Sequence, residues 1–164
     1  MTNNQEFAVV ATGHHLDSPE FLDRLFEVTG GDVTFECDRH GEVATIWFDR
    51  EAAALKEAVV EAIRQLHRLP ELRIQSVEID DIVTQDQIAE KTGLSRQAVS
   101  MHVNEQRGTK HFPLPVVGIP QRVRVWRLAD IFEYFDRSED AERLRRQRSA
   151  VEEAWAEALE PHAS

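Results

Sequence analysis

Residues 84–103 read TQDQIAEKTGLSRQAVSMHV, and this stretch decides the architecture of the part of the chain around it. Thr84 with Gln87 three positions on forms a capping box, in which each residue's side chain satisfies a free amide of the other at a helix start. Ile88 and Ala89 are the inward positions of that short helix. Gly93 takes the positive φ of a tight turn without steric cost. Ser95 caps a second helix whose buried positions are predicted to be Ala98, Val99 and His102 or Val103. The small Ala89 lets two helices cross closely, Gly93 turns the chain, and Val99 locks the second helix onto the first. This is helix-turn-helix spacing.

Downstream come Phe112-Pro113-Leu114-Pro115 and Val116-Val117-Gly118, then a turn over Ile119–Arg122, then the strand pattern of Val123, Val125 and Arg127. Two short strands here are predicted to form a wing, whose edge tolerates the prolines. Leu128 to Phe135 reads as a closing helix with Leu128, Ile131, Phe132 and Phe135 inward. From Val83 to Phe135 the chain resembles the winged helix-turn-helix of excisionases and of the DNA-binding half of MerR-type bacterial regulators. The matching features are QIAEKTGLSRQAVSMHV, the downstream FPLP, and VRVWRLADIFEYF, in which a Trp-Arg pair leads into the helix after the wing. The likeness is specific at superfamily level and covers roughly a third of the chain. It implies that the helix from Arg96 lies in the major groove of DNA and that the wing touches phosphates. MerR regulators place a long dimerising helix and an effector domain after the wing. Here an acidic segment precedes the reader instead, so the resemblance brings no metal or drug sensing with it.

That preceding segment alternates strand and helix signals. Phe7 to Thr12 is apolar and β-rich. Asp17 or Ser18 caps a helix with Pro19 at its first position and Phe21, Leu22, Leu25 and Phe26 on its apolar face. Gly30-Gly31 breaks it. Val33, Phe35 and Cys37 alternate with polar residues as in a half-buried strand. Arg39-His40-Gly41 reads as a hairpin turn, followed by a strand from Glu42 to Phe48. Leu55, Ala58, Val59, Ala62, Ile63, Leu66 and Leu69 form a helical stripe that Pro70 ends. Leu72 to Ile79 is a last strand. The order strand-helix-strand-strand-helix-strand predicts a ferredoxin-like βαββαβ arrangement. The expected class is α+β: a ferredoxin-like α/β domain over 1–80, a winged helix-turn-helix over 81–135 and a C-terminal helix over 136–164.

Trp47 is the one aromatic candidate for the open face of that sheet. Beside Glu36 and Asp38 it makes a poor RNA platform and reads as a protein contact or as edge packing. In the terminal helix, Ala141, Leu144, Arg148, Val151, Trp155 and Ala158 follow a 3-4 spacing. The seam fits packing against its own domain or pairing with a second subunit. A homodimer is the expected assembly, with this helix slightly favoured over the Trp47 face.

Charge separates the function classes. The chain of 164 residues carries a net −11, and residues 1–80 alone hold 7 basic and 16 acidic side chains. Residues 91–127 hold seven basic side chains against Glu105 alone, a net +6. A compact basic stretch on an acidic background is the footprint of a local nucleic-acid contact. The predicted base-edge residues are Arg96, Gln97, Ser100 and Met101, at the start of the second helix and away from Val99. The predicted phosphate contacts are Lys91, Arg107, Lys110, Arg122, Arg124 and Arg127. Enzyme chemistry finds no foothold: no Ser or Cys lies in a nucleophile elbow. His14, His15, Cys37 and His40 lack zinc-ligand spacing. No cofactor or metal is expected. A lone cysteine, no basic-apolar leader and no long apolar run read as a cytoplasmic chain without a membrane partner. The expected function is sequence-specific binding of double-stranded DNA by a transcriptional regulator, with a protein or small-molecule effector at the N-terminal domain. The alternative is a protein-interaction module that uses the helix-turn-helix as a scaffold.

Overall fold

The alternation of Phe7, Val9 and Ala11 buries one face of a long strand, β1 (Asn3–Thr12), in the computed structural model, which describes residues 2–105, 108, 110–116 and 124–159. Helix α1 (Pro19–Thr29) follows, with Ser18 Oγ accepting from the Phe21 amide and Pro19 in its first turn. It stops where Gly30 takes a left-handed φ of 83°. Strand β2 (Val33–Cys37) leads through a tight turn into β3 (Val43–Ala52). Asp38 makes that turn: its Oδ1 accepts the Glu42 and Val43 amides at 2.8 and 3.1 Å. These bonds hold its carboxyl below the ordinary range. Asp38 was expected beside Trp47; its carboxylate is instead committed to the turn. Helix α2 (Leu55–Leu66) and strand β4 (Arg73–Glu78) complete the series. The α2 stripe is buried from Ala58 to Leu66, with Leu55 half-buried at its start; the helix ends at Leu66, and Leu69 is buried in the turn beyond it.

The four strands form one antiparallel sheet in the order β2-β3-β1-β4, with a register slip in the β1–β4 ladder between Val10 and Ala11. Phe7, Val9, Ile46 and Phe48 on one face close against Phe21 and Leu25 of α1 and Val59, Ile63 and Leu66 of α2. The Phe7 and Phe48 rings stack at 5.0 Å.

The chain forms two compact units. The first runs to Ile79 and resumes at Gln147; the second is Asp80–Arg146. The second contains β5 (Ile82–Thr84), α3 (Gln85–Thr92), α4 (Arg96–Val103), β6 (Val125–Arg127), α5 (Leu128–Tyr134) and the start of α6 (Ser138–Leu159). Six helices and two antiparallel sheets among the described residues make the chain α+β.

One expectation changes, and one strand pairing is added. The segment 136–164 is not a body of its own, because its apolar residues go to two cores. Ala141 is buried in the core of the second unit. Val151, Ala154 and Ala158 are buried in the core of the first, with Trp155 packed against it. Arg148, which breaks the seam, donates to the Val77 carbonyl and pairs with Glu78 at 3.3 Å. Of the two packings that the seam's spacing fits, the one against its own chain is the one seen here. The added pairing concerns the strand after the expected wing turn. The ladder of β6 is with β5, ahead of α3, in the register Val83↔Trp126. The proposed first wing strand contributes one described bond, Val116 N to Val125 O at 2.8 Å. The proposed wing turn and Val123 lie outside the described residues.

Sequence reading also passed over Arg50, which is buried on the core-facing side of β3. Its guanidinium pairs with Asp32 at 2.7 Å, donates to Gln65 Oε1 at 2.9 Å and to the Thr29 carbonyl at 3.4 Å, and lies over the Phe48 ring. One arginine thereby ties the end of α1, the approach to β2 and the last turn of α2.

Val151→Ala should destabilise the first unit by about 2 kcal/mol, the cost of the removed methyl groups plus the cavity they leave. Urea unfolding measures it. The loss should not change with protein concentration, since the contact lies within one chain.

Candidate nucleic-acid interface

The start of α3 is fixed by reciprocal bonds. Gln87 N donates to Thr84 Oγ1 at 3.3 Å, and Thr84 N donates to Gln87 Oε1 at 2.9 Å. Gly93 ends the helix with φ 75° while its amide closes on Ala89 O at 3.0 Å. The turn is short because Ser95 starts the next helix at once, its Oγ accepting from the Ala98 amide at 3.1 Å. Ile88 and Ala89 of α3 and Ala98 and Val99 of α4 are buried, as their spacing predicted. His102 and Val103 are half-buried. His102 Nδ1 lies 2.8 Å from the Tyr134 hydroxyl, and its ring meets the edges of Tyr134 and Phe135.

With that face anchored, the opposite face of α4 looks outward. Arg96 and Gln97 are exposed there and Ser100 and Met101 half-exposed. Asn104 continues the row, its amide 3.4 Å from Ser100 Oγ. Its place four and seven residues beyond Ser100 and Gln97 was the signal that could have found it. Residues 96–104 contain no acidic side chain. Gln97 can pair bidentately with an adenine edge and Arg96 with a guanine edge.

The predicted phosphate contacts are placed as follows. Lys91 lies 3.5 Å from Asp80, Lys110 is 2.9 Å from Asp136, and Arg127 is 4.0 Å from Asp81. Arg124 is exposed and its guanidinium lies 5.5 Å from the centre of the Trp126 ring. Arg107 and Arg122 lie outside the described residues. Arg96 itself has Asp86 at 3.9 Å, with its side chain 81% exposed. Exposed pairs of this kind contribute about 0–1 kcal/mol, so a phosphate can displace the carboxylate. The same carboxylates lower the local positive field, which the net +6 read from sequence left out.

Behind α4, Trp126 is 1% exposed and its indole Nε1 donates to the Pro113 carbonyl at 2.9 Å. Phe112 meets Trp126 and Tyr134 edge-on. Arg137, which carried no sequence signal, donates to the Thr92 and Lys91 carbonyls at 2.7 and 3.1 Å. It satisfies the last carbonyls of α3, where a cation also meets the negative end of the helix dipole.

No group of three His, Cys, Asp or Glu positioned to hold a metal occurs among the described residues. Burial, then Asp17 and Asp38, raise the Cys37 thiol above its ordinary value, which disfavours the thiolate. No described helix is long and apolar enough to cross a membrane. Comparison with protein-family models, with curated proteins and with solved structures finds no match.

Gly93→Ala should cost about 1–2 kcal/mol, all of it from the left-handed backbone, since an added Cβ meets nothing within 4 Å. Gly93→Asn should cost less; thermal melts compare the two. Tyr134 is the only tyrosine of the chain and is nearly buried, so phenolate absorbance reads it alone. Burial raises its pKa above the ordinary 10, with Lys110 opposing and Glu105 adding to the rise. The stability this group contributes is fully present below the unfolded value and is lost as pH rises through the higher folded one. The absorbance midpoint should therefore lie above 10 in the native protein and return to the ordinary value in urea.

Proposed function

We propose that this chain binds double-stranded DNA sequence-specifically and acts as a bacterial-type transcriptional regulator in the cytoplasm. One observation carries the reading: α4 is capped, turned by Gly93 and anchored by Val99 so that an acid-free face of Arg96, Gln97, Ser100, Met101 and Asn104 points to solvent. An α-helix fits the major groove, and those side chains are donors and acceptors of the kind that read base edges there. In this reading the second unit is a winged helix-turn-helix of the excisionase and MerR type, with α4 as the reader. Lys110 and Arg124, on the segments before and after the wing tip, lie on phosphates, where contacts fix register without reading sequence. The strand order of the first unit supports a ferredoxin-like arrangement, used for regulation rather than for DNA contact given its acidity.

Selection of bound duplexes from a random pool, followed by fluorescence anisotropy, tests this. Arg96→Ala or Gln97→Ala should weaken the selected site by about 1–3 kcal/mol and random DNA little. Replacing Lys110 and Arg124 together should weaken both and reduce the log–log salt slope by roughly 0.9 per lost contact. Failure to enrich any duplex, or equal binding by both α4 variants, removes α4 from the groove.

A further inference from the structure

The helices of the first unit cover the sheet face that carries Phe7, Val9 and Phe48. On the other face Trp47 is 50% exposed at the middle of the sheet, paired in register with Ala8 on β1 and Thr34 on β2. Among the described residues no cation lies over its ring and no second ring packs against it. One step along the ladder, Glu6 stands directly opposite Asp49, and both are exposed. Like charges directly opposite one another destabilise a sheet. Glu36 pairs with Thr45 on one side of the tryptophan, and Glu78 pairs with Ala8 on the other. Arg148 reaches Glu78 but leaves Glu6, Asp49 and Glu36 without an ion pair to any described residue.

We propose that this face is a docking surface for a basic protein segment, with an arginine or lysine seated on the Trp47 ring and flanking cations on Glu6, Asp49 and Glu36. Charge complementarity selects the occupant. A phosphate backbone or an anionic lipid surface is repelled by the carboxylates, and a second copy would bring the same acids face to face. A cation gains twice: from the ring's negative face and from relief of the Glu6–Asp49 repulsion. This inference does not depend on DNA binding by the second unit.

The test titrates the full chain with nona-arginine at low and physiological salt, by calorimetry and by backbone amide NMR. Shifts should centre on β1 and β3 around Trp47. Trp47→Ala should weaken binding by about 3- to 10-fold while Trp47→Phe keeps most of it. Glu6→Gln should weaken peptide binding and raise the melting temperature of the free protein, because it removes the repulsion. Glu20→Gln with Glu27→Gln, on the exposed surface of α1, changes net charge as much or more and should have little effect. If that control weakens binding as much as Trp47→Ala, or if Trp47→Ala binds like the parent, the attraction is that of net charge alone and the site is overturned. A parent dimer that Trp47→Ala converts to monomer would overturn it in favour of a second copy. A melting temperature lowered by Glu6→Gln would overturn the repulsion on which it rests.

Discussion

The indole N–H of Trp126 donates to the carbonyl of Pro113, and the second unit depends on that bond. A buried indole without an acceptor leaves its N–H desolvated at a cost of about 1–3 kcal/mol. Meeting that need draws the segment after α4 onto β6. The β6 strand is in turn laddered to β5, and β5 runs straight into the Thr84 cap of α3. The chain leaves the helix pair through the aromatic group of Phe112, Tyr134 and Phe135 and is brought back beside its start. The outward face of α4 is therefore held from behind by hydrogen bonds and rings rather than by its own short length, since isolated helices of fewer than about twelve residues are marginal in water.

Electrostatics divides the molecule in two ways. In the first unit a buried cation, Arg50, is almost fully partnered, whereas exposed acids face one another across β1 and β3. In the second unit the cations are exposed and most have a carboxylate nearby. Neither arrangement follows from a count of charges. The acidic background keeps a random polyanion away, and contact with one requires replacing local carboxylates by phosphates.

Much of the local structure was legible because it is decided within a few residues. The Ser18-Pro19 helix start, the glycine stop at Gly30, the alternation of β2 and the Thr84–Gln87 cap depend on side chains three or four positions apart. What could not be read depends on distant partners. A run of Val151, Ala154 and Ala158 has the same spacing whether it packs on its own chain or on another. Arg50 in a strand looks like a surface residue until Asp32, Gln65 and the Thr29 carbonyl converge on it. Arg137 looks like any charge in a polar turn, and its worth comes from helix carbonyls 45 and 46 residues earlier. The pairing of β6 with β5 was not foreseen, because three residues of strand pattern do not say which neighbours they join. Of the proposed interface, the row on α4 was readable from its spacing, whereas the carboxylates beside its cations were not.

The first unit has its closing residues on the far side of the second in the chain, and this sets an order in time. As the polypeptide leaves the ribosome, at about 5–20 residues per second, the four strands and first two helices emerge before the residues that finish their core. Through that interval the surface later covered by Val151, Ala154 and Ala158 is open to water, while residues 80–146 can already fold. The second unit would thus mature first, and the sheet unit would be sealed only once Val151, Ala154 and Ala158 have emerged.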